Sequence, residues 1–533
     1  MEDHSMHEQI AETAAACCPT AIDMGNGTHI MAGIPDWLYY SSIVIVMLIS
    51  FLLLEIVRRR QDSAISYLKF ELTRFKPVEA FFTSRRVQLF FQVALVALFG
   101  LILFAGFYGN QHPGKNIAPT LVWNIWWVGL IFIILFLGKM WCYACPWDAV
   151  TTWLRRLTFL KIRKTESFNL NIPWPKSLRN IYPAAIFFIA LTWIELGWHV
   201  TMSPEKTAIL GLLMFGLVFI PGLIFEKKSF CRYGCLVGRI SGLYAMFSPI
   251  EIRKRDADVC NNCKSADCYR GNDNGYACPT GMNLKTMQTN TYCIMCAECF
   301  RTCPSNNVAL NIRPFSQDLV ASPKPRKDEA YLALILFALT AFHGLTMTPI
   351  WKTITGAIQE VVPVGDIGAF SIGMAASLIL PVLVYAFFIW LTRLAARSDV
   401  ATYKALFIKY AYGVVPIALF YHIAHNLEHF FVESQKLVVL ISDPFGYGWD
   451  LFRTADVQVA AIFSMGTIWY MQVAAILIGH VFGIYVSHHH SHIIYENRGT
   501  AIRSQIPMIF LMICLSILSL WLIAQPMEMR TAM

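Results

Sequence analysis

About 20 consecutive apolar residues let an α-helix cross a hydrocarbon layer, and this sequence repeats that pattern about ten times. The runs fall near 37–57, 87–108, 120–140, 181–200, 207–225, 330–348, 368–391, 405–432, 457–487 and 505–524. Backbone polar groups in lipid must be satisfied within the segment, which leaves helices as the choice for runs of this length. The expected fold is mostly α, a polytopic helical membrane protein of about ten spans. Runs 405–432 and 457–487 are longer than a bilayer needs and must tilt or extend beyond it. Only 1–34 and 226–329 are long and polar enough to be something else. The chain therefore divides into a polar tail (1–34), an N-terminal membrane domain of about five spans (35–225), a polar segment (226–329) and a C-terminal membrane domain of about five spans (330–533).

Charge sets the direction. Hydrophobic residues make up 56% and charged residues 14%, against about a quarter charged in soluble domains. That balance excludes a disordered chain, a nucleic-acid-binding tail and an ordinary cytosolic enzyme. The net charge of +9 reads as topology and attraction to anionic lipid rather than as nucleic-acid binding. Arg58, Arg59, Arg60, Arg85, Arg86, Arg155, Arg156, Lys161, Arg163 and Lys164 flank the early spans. Lys227, Lys228, Arg232, Arg253, Lys254, Arg255, Lys324, Arg326, Lys327, Arg393 and Arg397 flank the later ones. All fall on one side if the N-terminus is outside, which places 226–329 in the cytoplasm and the chain in an inner membrane. Residues 1–34 lack a signal peptide's apolar stretch and are expected to stay as an exported tail.

Of the fifteen cysteines, eight lie between Cys260 and Cys303. Residues 293–304 read CIMCAECFRTCP, the bacterial ferredoxin run, in which tight turns aim three thiolates at one cubane and the fourth serves another. One [4Fe–4S] cluster is assigned to Cys260, Cys263, Cys268 and Cys303, and a second to Cys293, Cys296, Cys299 and Cys278. The first half, CNNCKSADCYRGNDNGYACP, departs from the ideal spacing: four residues separate Cys263 from Cys268, and nine precede Cys278. The expectation is a small α+β dicluster ferredoxin-like domain inserted at about 250–315. Two structural zinc sites are the alternative. A disulfide framework conflicts with a reducing cytoplasm.

Two further pairs sit where spans end: Cys142 and Cys145 in GKMWCYACPWDAV, and Cys231 and Cys235 in KKSFCRYGCLVGR. Their matching positions hint at an internal repeat. They suit a third metal centre, a redox-active thiol pair or a dock for the polar segment. Plain small buried residues are the bland reading. Two such pairs followed by a double-cluster segment resemble the NapH, NosR and CcoG type of membrane-bound polyferredoxin, over roughly residues 85–315. That family's usual pair has three intervening residues and then Pro. Here the first pair has two and keeps Pro146, while the second has three and carries Leu236. The resemblance implies cytoplasmic clusters exchanging electrons with a membrane or periplasmic redox system.

Histidines cluster in the C-terminal half. His422, His425 and His429 share one helical face, His480 lies in ILIGHVFGIY between Gly479 and Gly483, and His343 is mid-span. An ionisable residue within a span is a functional candidate. His343, His422, His425 and His480 are candidates for haem b, copper, another metal or a quinone, or for plain packing. The glycines beside His480 would let a flat macrocycle approach. Joining His480 to His422 or His425 needs a shift of about two turns, or ~11 Å, so His343 is their better match in depth. The HHHSH run at 488–492 reads as a solvated helix end. The tail holds His4, Met6, His7, Cys17, Cys18, Met24, His29 and Met31, a donor set suited to copper.

Nucleotide loops of the GxGxxG and GxxxxGK[ST] types are missing, as is a Gly-x-Ser-x-Gly elbow, and no catalytic residue is singled out. Chemistry here would belong to cofactors. The leading expectation is an electron carrier rather than a stand-alone catalyst. It would link the cytoplasmic clusters, a membrane haem or quinone site and an external redox partner, such as a protein, quinone or cytochrome, within lipid and a possible membrane complex. The alternative is a copper reductase serving cuproenzyme assembly. An oxygen sensor is weaker, because no signalling domain is attached.

Overall fold

The computed structural model describes residues 21–23, 29–31, 33–59, 67–159, 168–321, 324–457, 459 and 462–528, with the backbone alone placed for 21–23, 29–31, 54–59 and 528. His4, Met6, His7, Cys17, Cys18, Met24, Arg60, Lys161, Arg163 and Lys164 lie outside the described residues.

Among the described residues, nine helices are long and apolar enough to cross a membrane, and Tyr182–Gly197 is a shorter apolar one. Polar caps set several boundaries. Ser84 accepts from the Val87 N–H at the start of Arg85–Tyr108, and Ser203 accepts from Lys206 at the start of Pro204–Ile224. Asn497 does the same for Thr500 at the start of Arg498–Ala524. Each cap satisfies an N–H that has no partner inside its helix.

Backbone strands Ala21–Asp23, His29–Met31 and Met527–Glu528 form one antiparallel sheet. The first and last described strands thus meet in one sheet. The sixteen residues of Tyr182–Gly197 span only ~24 Å, short of a full hydrocarbon core.

Three sequence expectations shift. The run placed at 457–487 forms the helix Met465–Ile494, because Ser464 caps it by accepting from the Thr467 N–H at 3.2 Å. The run at 405–432 is two pieces, Tyr403–Ala411 and Val414–Phe431, parted at Tyr412 and Gly413. The expected solvated end at 488–492 is instead packed. His488 and His490 are buried, His488 Nδ1 meeting Gln505 Oε1 at 3.1 Å and His490 Nε2 meeting the Leu319 carbonyl at 2.9 Å. The helix simply continues into the polar segment's underside.

That polar segment holds a small three-stranded sheet ordered Phe70–Glu71, Val308–Ile312, Ile250–Lys254, and a hairpin of Gly271–Asn272 with Gly275–Tyr276. Short helices Ala257–Asn261, Asp267–Arg270 and Glu298–Thr302 lie between the strands. One edge strand comes from the connection between the first two spans, outside 226–329. Beneath the sheet, Arg313 is fully buried and pairs with Asp318 and with Glu251 at 3.2 Å, and Arg253 reaches Asp318 at 2.7 Å. Burial pushes the Asp318 carboxyl up, but Arg313 and Arg253 outweigh it and hold it below its ordinary range.

Candidate functional site

The eight cysteines of 260–303 lie in one patch: Cys278, Cys293, Cys296 and Cys299 are neighbours, Cys268 neighbours Cys260, Cys263 and Cys303, and Cys299 and Cys268 join the two sets. Sharp local turns make this possible. Met295 and Ala297, between the cysteines of CIMCAEC, have φ of 53° and 61°, and Ala266 has 52°. Left-handed non-glycine residues are costly and mark sites where geometry is imposed. N–H groups point at the sulfurs: Met282 N–H to Cys278 Sγ and Asn307 N–H to Cys303 Sγ, each at 3.2 Å, and Asn307 Nδ2 to Cys260 Sγ at 3.3 Å. Such bonds stabilise thiolates and tune the potential of a metal they hold.

The two groups differ in environment. Burial, with neighbouring thiols and, at Cys296, the Glu298 carboxylate, pushes the Cys293 thiol up to about 11, Cys296 to about 12 and Cys299 well above its ordinary value. Cys263 is exposed, and the Ala266 N–H and the Ser265 hydroxyl lower it. Four crowded, buried thiolates need a metal's positive charge to persist. Among the described residues no group of three or more His, Cys, Asp or Glu side chains is drawn in closely enough to hold a single metal ion. The crowded thiols, with N–H groups aimed at their sulfurs, are a donor set able to hold iron–sulfur.

The basic residues that flank the spans fasten this segment down. Arg85 pairs with Glu298 at 2.9 Å, Arg301 reaches the Thr83 carbonyl at 2.8 Å, and Arg232 reaches the Thr280 carbonyl at 2.6 Å. Arg156 stacks over the Tyr276 ring at 3.4 Å.

At the membrane edge, Cys142, Cys145, Cys231 and Cys235 line one cavity of about 30 Å³, together with Trp141, Trp147 and Ile294. Gly138, with φ of 60° and ψ of −130°, ends the apolar helix at Leu137; a side chain there would be strained. The chain then turns so that Cys145 precedes the helix Pro146–Arg156, as Cys235 precedes Leu236–Tyr244. Lys139 and Arg239 lie close by, each 1% exposed.

Deeper in the bundle, His343, His422 and His425 line a cavity of about 650 Å³ whose other walls are chiefly apolar. One wall is a π-helical stretch, Thr120–Trp127, a rare geometry enriched at functional sites. His343 and His425 meet edge to face, with ring centroids 5.0 Å apart. Both ring nitrogens of His425, Nδ1 of His422 and the indole N–H groups of Trp126, Trp141 and Trp147 are buried without hydrogen-bond partners. Native structures rarely leave so many buried polar groups unpaired, and a ligand's oxygens would satisfy them. A second cavity of about 140 Å³ shares Trp123, Trp127, Glu195 and His343 with the first, and adds His429, Glu433 and Lys436.

His480 is not part of this site. Its Nε2 meets Ser50 Oγ at 2.7 Å and its Nδ1 meets Ser516 Oγ at 3.0 Å. Gly479 and Gly483 serve helix packing: a Cβ would come within 2.8 Å of Phe420 Cβ at the first and 2.9 Å of the Gly413 carbonyl at the second. The tryptophans of LVWNIWW, Glu195, Lys139 and Arg239 were not anticipated. Glu195 and Lys139 carried a readable signal, an ionisable residue within an apolar run.

No protein-family profile and no solved structure matches this chain. Over 237 residues, 43% of the chain and 85% of the relative, it is 25% identical to an uncharacterized protein of Methanocaldococcus jannaschii. Over 153 residues, 27% of the chain, it is 29% identical to the methylamine utilization ferredoxin-type protein MauN of Paracoccus denitrificans, of which it spans 52%.

Proposed function

We propose that this multi-pass membrane protein transfers electrons between two [4Fe–4S] clusters at the membrane surface and a quinone bound in the histidine-lined cavity. The observation that carries the reading is the gathering of eight cysteines in one patch, with N–H groups aimed at several of their sulfurs. Similarity to a ferredoxin-type protein supports it. Cys260, Cys263, Cys268 and Cys303 would hold one cluster, and Cys278, Cys293, Cys296 and Cys299 the other. Bound there, the clusters supply one-electron transfer at a potential tuned by the N–H bonds to sulfur. The basic span flanks favour a cytoplasmic location for this segment in an inner membrane.

A quinone suits the cavity better than haem. The His343 and His425 rings touch, so no macrocycle lies between them. A flat headgroup with two oxygens would accept from the Trp126, Trp141 or Trp147 N–H and bond to His425, while its tail meets the apolar walls. Each quinol oxidised yields two electrons and two protons. His343 stands between both cavities, and His429 Nδ1 meets Glu433 Oε1 at 3.2 Å, a row of groups able to hold protons on the way to the opposite face. Copper handling would draw on the tail, so deleting 1–33 should leave quinone-linked electron transfer intact.

The test is anaerobic. Iron and sulfide are expected in equal amounts, at no fewer than about eight of each per chain, since each cluster holds four, and adding decylubiquinol should change the cluster absorption in wild type. Zinc in place of iron, or an absorption indifferent to any quinone or quinol, would overturn the proposal.

A further inference from the structure

We infer that Cys142, Cys145, Cys231 and Cys235 hold a third iron–sulfur cluster, set at the membrane edge between the Cys293 group and the histidine cavity. The four residues come from two distant stretches of sequence, yet they line one cavity. Each pair ends on a cysteine that opens a helix, Pro146–Arg156 or Leu236–Tyr244, and the Gly238 N–H donates to Cys235 Sγ at 3.3 Å. Free N–H groups at a helix start favour thiolate over thiol.

The independent observation is a buried guanidinium. Arg239 is 1% exposed, stacks over the Tyr292 ring at 4.5 Å, and has no hydrogen-bond partner for Nε or either terminal nitrogen. Lys139 is equally buried, donates to the Thr291 carbonyl at 3.4 Å, and feels Cys142, Cys235 and Cys293 as electrostatic neighbours. Asp148 lies 3.9 Å from Cys231 Sγ and is paired with Lys228, and Glu329 accepts from the Tyr292 hydroxyl at 3.1 Å. Two buried cations beside four thiols are costly unless something anionic lies among them. A metal centre ligated by four thiolates carries net negative charge and would offset that cost.

The position explains why such a centre is needed. Ile294, between Cys293 and Cys296, forms one wall of the small cavity, and Trp141, Trp147 and Val237 wall both it and the large one. The third cluster would be a stepping stone from the surface group to the intramembrane carrier. Its role rests on the proposed electron-transfer reading; its existence does not.

The test counts iron and sulfide in wild type and in the Cys145→Ser/Cys235→Ser variant, with EPR of the reduced protein. About twelve iron should fall to about eight, as for the loss of one four-iron cluster, with one EPR component gone. About eight in both would overturn the third cluster and leave the other two standing. No iron in wild type would defeat the wider proposal as well. Zinc or copper lost from the variant in place of iron would also overturn the assignment. Because that variant can fail to fold, Arg239→Met is the second arm. It should keep about twelve iron and lower one midpoint potential in a redox titration, since a removed positive charge destabilises the reduced cluster. Potentials all equal to wild type would overturn the placement of Arg239 beside it.

Discussion

His425 and His480 are both buried, at 2% and 0% exposure, and sit mid-helix on neighbouring helices, Val414–Phe431 and Met465–Ile494. They nevertheless do different things. His480 is held at both nitrogens by the hydroxyls of Ser50 and Ser516 and ties three helices together. His425 has neither nitrogen bonded and faces a large cavity. An intramembrane histidine is therefore structural or functional according to whether its partners belong to the protein, and its position along a span does not decide this.

Exchanging each residue should break that comparison cleanly. His425→Leu removes no internal bond but would delete the contact proposed for the quinone, so quinol-linked reduction should fall by about 10- to 100-fold, the worth of one buried hydrogen bond. Thermal stability should hold or rise; equal activity in wild type and variant would place His425 with His480. His480→Leu should do the opposite. Two serine hydroxyls lose a partner, and the cost should be about 1–3 kcal/mol of stability with quinone response unchanged, read by unfolding in detergent beside the activity assay.

Trp126→Phe is a milder probe of the same contrast. It deletes one unbonded indole N–H and keeps the aromatic wall, so the apparent affinity for the quinone should weaken about 2- to 10-fold, the worth of a neutral hydrogen bond. Titration with decylubiquinone reads this directly, and a variant as tight as wild type would remove the indole from the ligand's partners.

The smallest effect lies outside the membrane, where a buried charge is fully paired as His480 is. Because Arg313 and Arg253 hold the Asp318 carboxyl below its ordinary value of 3.8, its contribution is complete above that value. It is lost as pH falls through the lower folded value. Unfolding of the polar segment should therefore become pH-dependent below about 4, with a slope of at most about 1.4 kcal/mol per pH unit for one group, and Asp318→Asn should flatten it.

Much of this molecule is local in character and legible from the chain. The spans follow from runs of apolar residues, since lipid forces each to satisfy its own backbone. The boundary at Met465 was misplaced because apolar composition continues upstream of Ser464, and a single hydroxyl cap outweighed it. The closeness of Cys293, Cys296 and Cys299 follows from their two-residue spacing, whereas Cys278, separated from Cys268 by nine residues, reaches them only through the fold.

Short-range spacing sets the membrane body and the side-chain chemistry available at its edge. Folding brings Cys142, Cys145, Cys231 and Cys235 to one cavity, buries Arg239 unpaired, and leaves His425 facing open space while His480 meets Ser50 and Ser516. Those relations join residues far apart in the chain. They depend on how the helices cross and rotate, and packing across the whole bundle sets that where no local spacing can.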